Sequence, residues 1–105
     1  MNRELRLSDF AQDTVRELER SLHREGLLKQ VRKALVLLET NPRHPSLQTH
    51  KFQSFRGPKG EEVFEAYVQQ HTPGAYRIFF YYGPDRIEGK HRIAVVTVLA
   101  ITPHP

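Results

Sequence analysis

The sequence has no cysteine in its 105 residues. Disulfide bonds therefore cannot supply stability and no thiolate can act as a nucleophile, which fits a reducing compartment. Long apolar runs are also missing, since the longest, residues 93–101, spans nine residues and a membrane helix needs ~20. The opening residues MNRELRL lack the apolar core and cleavage site of a signal peptide. We expect a cytoplasmic protein.

Neither charge sign is in large excess. Lysine and arginine number 16 against 12 acidic residues, giving a formal net charge of +4, with six histidines besides. This balance suits an anionic partner such as nucleic acid, but it is also common in small soluble domains, so both readings stay open. The length predicts one domain over residues 1–105, large enough for one hydrophobic core.

Apolar residues in the first half recur at helical spacing. Ser8 or Asp9 is available as the N-cap of a first helix, and Gly26 is expected to end it. A second helix should stop at Asn41-Pro42, because proline disfavours helical geometry in the residue before it. The two apolar stripes are Phe10, Val15, Leu18 and Leu22, then Leu27, Leu28, Val31, Ala34, Leu35 and Leu38. A helical hairpin over residues 8–40 follows.

In the second half the period changes to two and β-branched and aromatic residues become dense, which indicates strands. Residues 63–70 and 76–82 are predicted to form a hairpin across the turn-forming link 71–75. Residues 93–101 are apolar on both faces, as in a central strand, and residues 3–7 are expected to flank it. Residues 83–91 are interpreted as an exposed loop. The predicted fold is α+β, with the helical hairpin on one face of a three- to four-stranded, mainly antiparallel sheet.

Strand alternation predicts which side chains are neighbours. Glu65 and Tyr67 share one face of their strand, whereas Phe64, Ala66 and Val68 share the other. On the next strand Ile78 and Phe80 should face the helices. The opposite face then carries Arg77, Phe79 and Tyr81. Arg77 is therefore expected beside Glu65 and Tyr67.

Several short motifs occur in a characteristic order: NPRHPSL at 41–47, HKF at 50–52, VFEAY at 63–67, YRI at 76–78 and ITPH at 101–104. In this order the sequence resembles the RelE/ParE superfamily of toxins over roughly residues 5–104. The resemblance implies two helices before an antiparallel sheet. The segment after the helices ends in a basic residue, a strand-turn-strand unit ends in Tyr-Arg, and the last strand leads into a basic or histidine residue.

The two branches of that superfamily imply different activities. The RelE-like branch implies ribosome-associated endoribonucleases that cut messenger RNA and are neutralised by a cognate antitoxin; the ParE-like branch implies non-enzymatic inhibitors of DNA gyrase. Family roles carry over to Lys51 as a phosphate-contacting cation, Arg77 as a transition-state stabiliser and His104 as a general acid or base. Glu65 and Tyr67 match less closely. Many RNA-cleaving members carry a base-stacking aromatic after the final histidine, and because this sequence ends at Pro105, stacking is expected to need another aromatic.

RNA can be cut without a metal or cofactor because its 2′-hydroxyl attacks the adjacent phosphate. The predicted catalytic set is His104, Arg77, Glu65 and Lys51, with His104 and Glu65 in proton transfer. We also expect Arg43, His50, Arg56, Lys59 and Tyr67 to contact RNA. No zinc site is predicted, since His44, His50, His71 and His104 lie on different elements without a spacing motif.

Each assignment has a purely structural alternative. His104 suits a solvated terminal residue, and Arg77 suits a cross-strand ion pair with Glu65. The basic stretch from Arg43 to Lys59 suits a solvated linker, and the aromatic residues on the Arg77 face suit sheet packing or an antitoxin interface. Three functions stay open: an endoribonuclease, which we favour, a gyrase inhibitor, and a non-toxic relative that only binds a partner.

Overall fold

A computed structural model of the protein describes residues 2–104; Met1 and Pro105, the two ends of the predicted domain, lie outside the described residues. Two helices precede most of the strands. The elements are β1 (Glu4–Leu7), α1 (Asp9–Arg20), α2 (Glu25–Thr40), a short 3₁₀ turn (Pro45–Leu47), β2 (His50–Arg56), β3 (Glu62–Tyr67), β4 (Tyr76–Tyr82), β5 (Arg86–Glu88), β6 (His91–Ile93) and β7 (Val95–Pro103).

The predicted helical hairpin is present, with one correction at its turn. Ser8 is the N-cap of α1, and its hydroxyl accepts a hydrogen bond from the Ala11 amide while donating to the Leu99 carbonyl of β7. Gly26 does not end α1, because it lies in the first turn of α2. Helix α2 ends at Thr40, directly before Asn41-Pro42, as predicted.

The main sheet has five strands in the order β1-β7-β4-β3-β2, so the prediction of three to four strands was too low. The additional strand is β2, which pairs antiparallel with β3 along an outer edge. Strand β1 runs parallel to β7, and the remaining pairs are antiparallel, which makes the sheet mixed. Strand β7 lies inside the sheet, as predicted, although it begins at Val95 rather than Ile93.

The segment interpreted as an exposed loop, together with Arg92 and Ile93 after it, forms a second, two-stranded sheet. Strands β5 and β6 form an antiparallel hairpin whose residues are largely exposed. Three-residue strands are too short for their alternation to be recognised in a sequence, which explains the error.

The helices cover one face of the main sheet. Ile78 and Phe80 of β4 and Ala66 of β3 are buried in that core, as predicted. The predicted helical stripes are only partly correct, because Phe10 and Leu22 are exposed. On the opposite face lie Glu65, Tyr67, Arg77 and Phe79, placed together by the cross-strand pairs Glu65–Phe79 and Tyr67–Arg77. From residue 2 to residue 104, no helix has the length and apolarity to cross a membrane.

Candidate active site

A buried carboxylate holds two imidazoles on the face of the sheet away from the helices. Glu65 is 2% exposed and both of its oxygens accept hydrogen bonds. Oε1 lies 2.8 Å from Nε2 of His50, and Oε2 lies 2.5 Å from Nδ1 of His104. Burying a carboxylate is costly unless it is paired and hydrogen-bonded. The two histidines supply that pairing.

The sheet brings these three residues together from distant positions in the chain. His50 is the cross-strand partner of Glu65 in the β2–β3 pair. His104 directly follows β7, and its backbone amide donates to the Ala75 carbonyl at 2.8 Å, which fixes the end of the strand beside β4. The site is thus built from one edge strand, one inner strand and the residue after the longest strand.

Both ring nitrogens of His50 face hydrogen-bond acceptors. Besides the Glu65 contact, Nδ1 lies 2.9 Å from the carbonyl oxygen of Gln48. Gln48 has a left-handed backbone with φ of 46°, in the turn that leads into β2. A neutral imidazole donates from only one nitrogen. His50 therefore satisfies both acceptors only as an imidazolium.

Arg77 lies next to Glu65 but is bound mainly by backbone atoms. Its Nη1 donates to the carbonyl oxygens of Gln69 at 2.6 Å and Tyr76 at 3.2 Å. Nε lies 3.8 Å from Oε2 of Glu65, and this buried atom has no hydrogen-bond partner among residues 2–104. The guanidinium carbon lies 3.8 Å from the centroid of the Tyr67 ring. The arginine is therefore held firmly beside the carboxylate without a direct hydrogen bond to it.

The imidazoles form the solvent-facing layer of the site. The side chains of His50 and His104 are 47% and 48% exposed, above the buried carboxylate. Since Nδ1 of His104 contacts Glu65, its Nε2 is the nitrogen left without a partner in the described structure. The permanent charge of Arg77 offsets that of Glu65, so protonation of either imidazole makes the site positive. Such a site can bind a phosphate and exchange protons with it.

The predicted site residues divide into two groups. Glu65, Arg77 and His104, together with Tyr67, do converge on one face. Lys51 is not brought to them. It follows His50 in β2, so it points to the opposite face, and its ammonium lies 3.4 Å from Glu62.

The other predicted RNA contacts also lie away from the Glu65 carboxylate. Arg43 and Lys51 line an open groove on the helix side of β2, together with Phe64 and Tyr82. Arg56 is at the far end of β2, and Lys59 is in the turn that follows it. His50 is the exception, because it contacts Glu65 directly.

Sequence reasoning missed the part that His50 plays in the Glu65 cluster. The sequence does not predict β2 as a strand, so it places His50 only among the basic residues expected to contact RNA. Recognising an edge strand at 50–56 in register with β3 would have placed His50 opposite Glu65. Phe79 and Tyr81 are buried, which agrees with the sheet-packing alternative given for the aromatic residues on this face.

Of the four histidines considered for zinc, His50 and His104 meet at Glu65, whereas the other two lie elsewhere. His44 caps the 3₁₀ turn through Ser46, and His71 is in the exposed β3–β4 connection. Throughout residues 2–104, no group of three His, Cys, Asp or Glu side chains has an arrangement suited to a metal ion.

Comparisons with known proteins identify a shared fold. No family model and no curated protein matches the sequence. Among solved structures, the chain is similar to "The structure of YoeB dimer from Staphylococcus aureus", with a TM-score of 0.59, 10% sequence identity and coverage of 100% of both chains. The similarity extends over the whole chain, and at this identity it shows the fold alone.

Proposed function

We propose that the protein is a toxin-like endoribonuclease that cleaves messenger RNA without a metal ion. The observation that supports this most directly is the pair of exposed imidazoles on the two oxygens of Glu65, with Arg77 beside them. Attack by a ribose 2′-hydroxyl requires one base and one acid, and two histidines in different hydrogen-bonding states can supply both.

His104 is assigned as the general base. Glu65 accepts a hydrogen bond from its Nδ1–H, which leaves the lone pair on Nε2 to take the proton of the 2′-hydroxyl. The 2′-oxygen then bonds to phosphorus while the bond to the 5′-oxygen breaks. This cleavage yields one fragment with a 2′,3′-cyclic phosphate and one with a 5′-hydroxyl.

His50 is assigned as the general acid, because both of its ring nitrogens face oxygen acceptors and only the doubly protonated ring donates to both. It exchanges one internal hydrogen bond for the departing 5′-oxygen and donates that proton. Glu65 is a positioning residue, since it is buried beneath the two rings. This differs from the expectation that Glu65 itself transfers a proton.

Arg77 stabilises the negative charge that develops on the phosphate. Its Nη1 is committed to two carbonyl oxygens, whereas Nη2 makes no hydrogen bond within residues 2–104. A fixed donor aimed at developing charge contributes about 10²–10³-fold in rate where such donors have been removed. Lys51, Arg43, Arg56 and Lys59 are proposed to bind RNA phosphates along the β2 edge, outside the reacting centre.

The biological setting is also part of the proposal. The motif order resembles the RelE/ParE superfamily, and the fold shared with YoeB supports a toxin-like protein. We therefore propose a cytoplasmic protein that acts on RNA at the ribosome and is neutralised by a cognate antitoxin. Phe10, Leu22 and Val36, which are large, apolar and exposed on or between the helices, are candidates for contact with that partner protein.

The test is a cleavage assay with purified protein, ribosomes and a defined transcript. The wild-type protein should release fragments with 2′,3′-cyclic phosphate ends, which attack by the ribose 2′-hydroxyl leaves and attack by a metal-bound water does not. His104→Ala should lower the rate about 10²–10⁴-fold, as expected for loss of an acid–base group. His91→Ala is the matched control, because His91 is exposed on the β5–β6 hairpin and should be dispensable.

The alternatives give different results. Inhibition of gyrase supercoiling without RNA cleavage would replace the ribonuclease proposal with the ParE-like one. Inactivity in both assays, with retained binding to an antitoxin, would indicate a relative that only binds a partner.

A further inference from the structure

Three phenylalanines form a cluster on the same sheet face as the candidate active site. The rings of Phe52 and Phe79 have centroids 4.8 Å apart, and Phe55 lies 5.1 Å from Phe52 and 5.6 Å from Phe79. Phe79 is 2% exposed, whereas Phe55 is 41% exposed. Phe55 therefore rests on two other rings and presents aromatic surface to solvent.

The cluster adjoins the Glu65 site directly. Phe79 is the cross-strand partner of Glu65, so their side chains are neighbours on one face. Phe52 is two residues after His50 on β2, which places it on the same face as that imidazole. The aromatic surface and the two histidines therefore form one continuous stretch of the sheet.

An irregularity in the edge strand accounts for the contact between Phe55 and Phe52, which regular alternation would place on opposite faces. The β2–β3 register shifts between Phe52 and Arg56. Residues at such a bulge leave the regular pairing, and their side chains are redirected. The permanent cation on the same sheet face as the cluster is Arg77, whose strand also carries Phe79.

An exposed aromatic ring and cationic groups on one sheet face match what single-stranded RNA presents. Each nucleotide carries an apolar, flat base and an anionic phosphate, and proteins bind single strands by stacking bases on aromatic rings beside basic side chains. Duplex RNA does not offer a free base face. We propose that Phe55 is the stacking platform for a nucleobase of single-stranded RNA next to the phosphate held by the histidines. This inference rests on the proposed function, since it names a base-binding subsite of the same site.

Binding can be measured separately from cleavage. An RNA oligonucleotide with a 2′-deoxy sugar at the cleaved position lacks the attacking hydroxyl and stays intact. With 2-aminopurine next to that position, stacking on the protein should quench its fluorescence. Phe55→Ala should weaken binding about 5- to 100-fold and abolish the quench. Complementary duplex RNA should show neither effect.

Two further substitutions separate stacking from folding. Phe55→Tyr keeps an aromatic face and should retain the quench, whereas Phe55→Leu keeps apolar bulk and should lose it. Phe10→Ala is the matched control, because Phe10 is an equally large, exposed ring on α1 and should leave RNA binding unchanged. Urea unfolding of each variant verifies that it is folded.

The outcomes distinguish this inference from the proposed function. If wild-type protein quenches 2-aminopurine through Phe55 but cuts no transcript, the ribonuclease proposal fails and the platform stands. If Phe55→Ala binds, quenches and cuts like wild type, the platform is overturned while the ribonuclease stands. If Phe55→Ala leaves RNA affinity unchanged but weakens association with another protein, the platform is also overturned. The surface is then assigned to a protein partner.

Discussion

Arg77 and Tyr67 are cross-strand partners whose side chains stack, with the guanidinium carbon 3.8 Å from the ring centroid. The tyrosine ring also meets His50 edge-on, with centroids 5.9 Å apart. Tyr67 therefore contacts two cationic or ionisable side chains of the candidate site at once. Its ring fixes the orientation of the guanidinium, whose Nη1 is simultaneously held by two backbone carbonyls.

Replacing Tyr67 by alanine should destabilise the protein and misplace Arg77. A partly desolvated cation–π contact is worth about 0.5–2 kcal/mol, and the lost ring packing adds to it, so we expect about 1–3 kcal/mol in the free energy of unfolding by urea. Tyr67→Phe keeps the ring and should lie within about 0.5 kcal/mol of wild type. If Tyr67→Ala and Tyr67→Phe lower the free energy of unfolding equally, the hydroxyl rather than the stacked ring provides the stabilisation.

Glu65→Gln should be strongly destabilising although it conserves shape. The amide carries no charge to offset Arg77, and removing one member of a buried ion pair costs about 3–5 kcal/mol. Because the imidazoles here are half exposed, we expect about 2–4 kcal/mol by urea unfolding. Glu62→Gln is the control, since Glu62 is an exposed carboxylate on the same strand. The prediction fails if the two variants are equally stable.

His50 and His104 should affect opposite limbs of the pH–rate profile. Wild-type cleavage by one base and one acid should give a bell-shaped profile. Without the acid His50, the residual rate should no longer fall at high pH; without the base His104, it should no longer fall at low pH. Single-turnover rates of His50→Ala and His104→Ala across pH 5–9 measure this. If both variants keep both limbs, neither assignment holds.

The site was predictable where it depends on strand alternation. A period of two placed Glu65, Tyr67 and Arg77 on one face because β3 and β4 are regular and joined by a recognisable turn. His104 came from the order of family motifs, since no local pattern reveals that a residue after β7 reaches the carboxylate of β3.

The unpredicted parts are those where local sequence carries little signal. Strand β2 lies at the sheet edge, and most of its residues are exposed, so it lacks the apolar alternation of a half-buried strand. His50 consequently could not be placed opposite Glu65. The place of Gly26 is likewise ambiguous in the sequence, because a glycine between two helical stripes suits either the end of one helix or the start of the next.

A pH-dependent contribution to stability is expected from Glu4 in β1. Arg86 of the β5–β6 hairpin donates to its carboxylate from Nη2 at 2.8 Å and from Nε at 3.2 Å. The hydrogen bond and charge of Arg86 hold the pKa of Glu4 below its ordinary value of 4.5, against a smaller opposing effect of desolvation. A carboxyl whose pKa is lower in the folded state stabilises the protein above its unfolded pKa, and this stabilisation disappears as the pH falls through the folded value.

The urea midpoint of wild type should therefore exceed that of Glu4→Gln at pH 6–7. This difference in midpoint, the gap, should close on acidification below pH 4.5. Added salt should also narrow the gap at neutral pH, because the pair is exposed and screened by counterions. Glu17→Gln serves as the control, since Glu17 is an exposed carboxylate on α1 outside the described ion pairs. A gap for Glu4→Gln that stays constant from pH 3 to pH 7 would mean that its effect comes from packing of the strand edge rather than from the charge on the carboxylate.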